Sequence, residues 1–186
     1  MLSAFVGSNP TPRIFYKMQN VNLESLLEDS LSSRETLIKP DVFGAISKLI
    51  NKNPFRERII FLLENQQLAN TPIKNLLGIE SCSNCIGTAL FIAGVSPFNY
   101  LHQAYENELD QHINEKTNKH IPGAFVFSYS AEFDDWHAGI YLGKINEDHI
   151  AFAQHGRGDK FGPESLNCNY CAPHFYVPRT LVLKPD

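Results

Sequence analysis

The chain has 186 residues, 43% of them hydrophobic and 19% charged, which suits one globular domain with a real core. The net charge of −4, from 16 basic and 20 acidic residues without a basic run, gives no electrostatic support to nucleic-acid binding. No apolar run approaches the roughly 20 residues that a membrane span needs.

The opening Met1-Leu2-Ser3-Ala4-Phe5-Val6-Gly7-Ser8 carries no basic leader, and its apolar stretch is too short for a secretory signal. The expectation is a chain made in a reducing cytoplasm, with export by a route that uses no signal peptide as the alternative. Four cysteines in that setting are more often reactive or metal-binding than disulfide-paired.

Residues 1–20 read as irregular, punctuated by Pro10 and Pro12. From Val21 the apolar residues fall at helical spacing: Leu23, Leu26, Leu27 and Leu31 in a first helix. Val42, Ile46, Leu49 and Ile50 follow in a second, opened by Pro40-Asp41. Ile59, Phe61, Leu62, Leu63 and Leu68 form a third, opened by Asn53-Pro54. Residues 1–75 are expected to be a helical extension packed on a core of residues 76–186.

Glu80 to Gly94 is the most informative stretch. Asn84 is a good helix N-cap and Gly94 a good helix stop. Ile86, Leu90 and Ala93 lie between them at helical spacing, with Cys85 in the first turn. A cysteine there meets unpaired backbone N–H groups and the positive end of the helix dipole, which favour the nucleophilic thiolate. The blander reading is a buried, space-filling cysteine. A further helix is predicted from Ser96-Pro97 through Leu101, Ala104, Tyr105, Leu109 and Ile113, then a polar loop from Asn114 to His120.

At Pro122-Gly123 the period changes. Ala124–Phe127, Trp136–Gly143 and His149–His155 read as strands, with a turn at Asn146-Glu147-Asp148 and a glycine-rich loop from Gly156 to Gly162. Phe175–Val177 and Thr180–Leu183 give one or two closing strands. Helices followed by an antiparallel meander make an α+β domain.

Cys85 needs a base. Of the seven histidines, His137 stands at the start of a strand, after the acidic turn Glu132-Phe133-Asp134-Asp135. It shares a face with Gly139 and Tyr141, while Ala138, Ile140 and Leu142 take the other. His155, near the end of the next strand, is favoured over Gln154 as the residue that orients His137 through its Nδ1–H. The blander reading of His137 is a surface strand histidine beside an acidic turn.

These pieces in this order resemble the NlpC-type papain-like peptidases and amidases, over about residues 80–160. In that family a cysteine opens the central helix in a D-C-S-G-like setting, here Asn84-Cys85-Ile86-Gly87. A P-G-D-L-V-F-like strand follows, here Pro122 to Phe127. An H-V-G-I-Y-L-G strand comes next, here His137 to Gly143. Asn84 stands where the family has an acidic residue and Ile86 where it has a small one. The resemblance implies a papain-like fold, with the Cys85 helix packed on a small antiparallel sheet. It implies a Cys85 nucleophile with His137 as base, and His155 or Gln154 as the third polar residue. Gln154, Trp136 and Asn84 are expected beside the substrate. The substrate would be an amide of a peptide or protein, a cell-wall peptide included, and the setting a secreted effector or toxin, with an inhibitor or immunity protein as a further partner. No metal or cofactor is required.

A different constellation competes. Cys82-x-x-Cys85 and Cys168-x-x-Cys171 use every cysteine of the chain, and two such pairs are a zinc pattern when the fold brings them together. Zinc held by Cys82, Cys85, Cys168 and Cys171 would make this a metal-stapled binding domain without catalysis.

Overall fold

A computed structural model describes residues 21–31, 38–74, 80–96, 101–130, 135–156, 159–169 and 172–182. The chain adopts the expected α+β order, helices first and then a mostly consecutive antiparallel sheet. The sequence expectations for residues 1–20, the Glu132–Asp134 part of the acidic turn and Cys171 lie outside the described residues, as does the side chain of Cys168.

Three helices open the described chain: α1 (Leu23–Leu31), α2 (Phe43–Lys52) and α3 (Arg56–Glu64). Pro40–Val42 is a 3₁₀ turn that feeds α2, as Pro at a helix start allows. The third helix is shorter than its apolar spacing predicts. Asn65 donates its side-chain amide to the Phe61 carbonyl, 2.7 Å away, and Gln66–Asn70 continues as a 3₁₀ turn. Leu27, Ile46, Ile50, Ile59 and Leu62 are fully buried and join one core with the elements that follow. The N-terminal helices therefore share the core of the sheet domain.

A small antiparallel ribbon, β1 (Ile73–Lys74) with β2 (Glu80–Ser81), leads into α4 (Cys85–Ile92). All eight α4 residues are buried, the pattern of a helix enclosed on every side. Gly94 ends it in the left-handed region, φ +79°. Val95 N–H reaches Leu90 O (3.1 Å) and Gly94 N–H reaches Phe91 O (3.0 Å), which is a Schellman close. The Arg58 guanidinium donates to Phe91 O and Ser96 O, both at 2.7 Å, and the Thr180 hydroxyl donates to Ala93 O. A cation at the negative end of the dipole fixes this end of α4 in place.

Six strands form the main sheet: β3 (Ile113–Thr117), β4 (Phe125–Ser130), β5 (Asp135–Ile145), β6 (Asp148–Gln154), β7 (Phe161–Ser165) and β8 (His174–Pro178). The strand order is β3-β8-β4-β5-β6-β7, all pairs antiparallel. Asn146, at φ +54°, makes the tight turn between β5 and β6. The expected alternation holds: Ala138, Ile140 and Leu142 join the main core, and Tyr141 joins a smaller cluster with Val126, Ala151, Leu166 and Phe175.

Four elements differ from the sequence expectation. Leu101–Tyr105 is not helical, and only Glu106–Asp110 forms a short helix, α5. Ile113–Thr117, expected to end a helix and enter a loop, is edge strand β3 against β8. Phe161–Ser165, the end of the supposed glycine loop and beyond, is edge strand β7, followed by a single helical turn, α6 (Leu166–Asn169). Thr180 to Val182 adds no strand. On β7 the outward N–H and C=O of Phe161 bond the Gln66 side chain at 2.9 and 2.8 Å. Pro163, two residues on, turns its missing donor the same way, which an edge strand tolerates. No helix among the described residues is long and apolar enough to cross a membrane.

Candidate active site

Asn84 caps α4 as expected, with its Oδ1 accepting the Gly87 N–H at 2.9 Å. The same side chain also grips a distant segment: Oδ1 accepts from Ala104 N (3.1 Å) and Nδ2 donates to Ala104 O (2.7 Å). These bonds lay Leu101–Ala104 across the first turn of α4, and that is why this segment is not helical. The crossing is so close that a methyl group on Gly87 would lie 1.7 Å from the His102 carbonyl oxygen. Asn84, expected beside the substrate, forms this clip.

Cys85 follows in the first turn, 9% exposed. Its thiol donates to the Trp136 carbonyl oxygen, 3.6 Å away, and its sulfur accepts a hydrogen bond from the His137 ring. The opposite ring nitrogen, His137 Nε2, is 2.8 Å from Oε1 of Glu164. With Nε2 taken by the carboxylate, Nδ1 is the nitrogen left for the sulfur. Sulfur and carboxylate thus meet the same imidazole, the three groups being contributed by α4, β5 and β7.

Glu164, which the sequence reading does not single out, is the residue in contact with the His137 ring where His155 or Gln154 was expected. It is 1% exposed, and its second oxygen, Oε2, is 3.2 Å from Nδ1 of His155. His155 therefore meets the carboxylate, one step behind His137, and the contact that orients His137 is at Nε2. Gln154, expected at the substrate, is fully buried, and its Oε1 accepts hydrogen bonds from Ser83 Oγ (2.8 Å) and Thr88 Oγ1 (2.9 Å). The Trp136 ring stacks on Phe127 (4.7 Å, 14°) and meets Tyr129 at 4.6 Å. Tyr129 is exposed, so this aromatic row runs from the core to the surface.

The charges reinforce one another. Burial disfavours the His137 imidazolium, yet the Glu164 carboxylate and the Cys85 sulfur outweigh it and push the His137 pKa up to about 10. Burial likewise opposes the Glu164 carboxylate, but the His137 charge and hydrogen bonds from both histidines hold its carboxyl well below the usual range. The positive end of α4 faces the same point.

No group of three or more His, Cys, Asp or Glu side chains placed to hold a metal ion is found among the described residues. Cys82 and Cys85 are both unbridged thiols. Comparison with protein-family models, with curated proteins and with solved structures finds no match to this chain.

Proposed function

We propose that the protein is a cysteine hydrolase of amide bonds, papain-like in fold, with Cys85 as nucleophile, His137 as acid and base, and Glu164 as the orienting carboxylate. The observation that carries the reading is the line Cys85–His137–Glu164, built from three separate elements and ending in a buried carboxylate. A core imidazole kept only for packing gains nothing from a buried charge on one nitrogen and a thiol on the other. A nucleophile with its base and an orienter needs both.

The chemistry follows from the order of contacts. The Cys85 thiolate attacks the amide carbonyl, and the developing oxyanion meets the Cys85 N–H, a first-turn donor with no partner inside the helix. The His137 imidazolium gives its proton to the leaving amine, which departs and leaves a thioester on Sγ. Neutral His137 then takes a proton from water. The hydroxide adds to the thioester carbonyl and Sγ departs as the thiolate, so the acid is released and the thiolate–imidazolium pair is restored. Glu164 holds the ring and balances its charge throughout. The substrate class stays as broad as in the sequence reading: a peptide, cell-wall peptide or protein amide, with effector or toxin as the setting.

A small activated acyl donor tests this without the natural substrate. p-Nitrophenyl acetate should release a burst of about one p-nitrophenolate per chain, with an acetyl group mapped to Cys85 and steady turnover after it. Cys85→Ala should lose both. Acetylation confined to lysines, or a burst that survives Cys85→Ala, contradicts the assignment.

A further inference from the structure

Two neighbouring side chains that the chemistry above does not use, Gln154 and His155, reach its two halves separately. Alternate residues of a strand point to opposite sides. At the end of β6, Gln154 turns to α4, where it holds Ser83 and Thr88, two residues before Cys85 and three after it. The nucleophile's own turn is thus tied to the sheet on both flanks. His155 takes the other side, where its Nδ1 meets Oε2 of the carboxylate whose Oε1 holds His137. Its own ring is confined: a methyl group on Gly162, on the adjoining strand, would come within 3.1 Å of His155 Nε2. In the β6–β7 ladder Gln154 pairs with Phe161, Ala153 with Gly162 and Ala151 with Glu164, so Gly162 and Glu164 share the face opposite Gln154.

We propose, resting on the hydrolase reading above, that Gln154 and His155 are the positioning residues of the site: Gln154 sets the Cys85 turn and His155 sets Glu164, so that one backbone step fixes sulfur against imidazole. A buried glutamine that only filled space could be replaced by an apolar side chain of similar volume, whereas one that locates a helix turn cannot. The same holds for an imidazole that fixes which way a carboxylate faces.

The test is the rate of Cys85 alkylation by iodoacetate across pH, in wild type, His137→Ala, Gln154→Met and His155→Ala. An anionic reagent is drawn to a thiolate beside an imidazolium, so the fall in rate at high pH reports loss of the His137 charge. Gln154→Met should lower the rate roughly ten- to hundredfold at every pH, with the high-pH fall where wild type has it. His155→Ala should move that fall to lower pH, and His155→Gln, which can still donate to the carboxylate, should restore part of the shift. Combining Gln154→Met with Ser83→Ala and Thr88→Val should add little further loss, because the three form one connection. If Gln154→Met does not fold, Ser83→Ala with Thr88→Val carries the same prediction. Should His137→Ala slow labelling while Gln154→Met and His155→Ala match wild type in rate and profile, the positioning role is overturned and the hydrolase reading stands. Should His137→Ala leave the rate unchanged, the hydrolase reading itself fails.

Discussion

Replacing Glu164 by glutamine is expected to lower turnover of the acyl donor by about two to four orders of magnitude, on the scale seen when the buried carboxylate of a catalytic triad becomes an amide. The amide keeps the shape but not the charge. One of its ends must also present N–H groups to an imidazole, which forces the wrong tautomer or breaks the line. Stability should change in a pH-dependent way whose sign can be worked out. His137 has a folded pKa of about 10, above its ordinary 6.5, so its contribution is full below about pH 6.5 and is lost as pH rises toward 10. Glu164 is shifted the other way, below its ordinary 4.5, so its contribution is present above that pH and is lost as pH falls. The stability difference between wild type and Glu164→Gln, read from urea midpoints, should be greatest between about pH 4.5 and 6.5 and shrink on either side. A difference that is flat from pH 4 to 10 would mean that the carboxylate and His137 are not coupled.

The second large effect is expected at Gly87. In an ordinary helix, Gly→Ala gains roughly 1 kcal/mol. Here the added methyl group would stand 1.7 Å from a carbonyl oxygen and 2.9 Å from its carbon, both backbone atoms of His102. Neither can swing aside as a side chain could. The Leu101–Ala104 segment must lift, and both Asn84 bonds to Ala104 go with it. Gly87→Ala should therefore cost about 2–4 kcal/mol in urea unfolding, the upper range for overpacking. Cys85 alkylation should also lose its selectivity, since Asn84 caps the turn that carries the sulfur. A variant as stable as wild type would show that the segment is held by something other than this clip.

The residues legible in the sequence are those whose signals are local. Asn84 and Gly94 bracket one helix that opens with Cys85, and capping chemistry at both ends marks its bounds. His137 lies on a strand whose alternation of small and large residues survives in the structure. Glu164 was hidden for an equally local reason. Phe161-Gly162-Pro163-Glu164-Ser165 has the composition of a turn, and only its place at the sheet edge lets Gly and Pro sit in a strand there. Without a strand signal for β7, the nearest polar residue on the preceding strand is His155, which stands directly behind the carboxylate. Ile113–Thr117 carries no strand signal because an exposed edge strand needs no apolar alternation. The apolar spacing of Leu101, Ala104 and Leu109 imitates a helix, yet Leu101 and Ala104 are buried by lying over α4. Pairing across the chain, which decides all three cases, leaves no mark on a short window of sequence.

The most direct measurement is competitive alkylation of the four thiols by limiting iodoacetamide, followed by peptide mapping, in wild type and His137→Ala, with and without a chelator. A thiolate–imidazolium pair predicts that Cys85 is modified well ahead of Cys82, Cys168 and Cys171, that His137→Ala removes this lead, and that the chelator changes nothing. Four thiols that resist modification together until a chelator releases zinc would contradict the account, and would make the chain a metal-stapled domain whose role lies in what it binds.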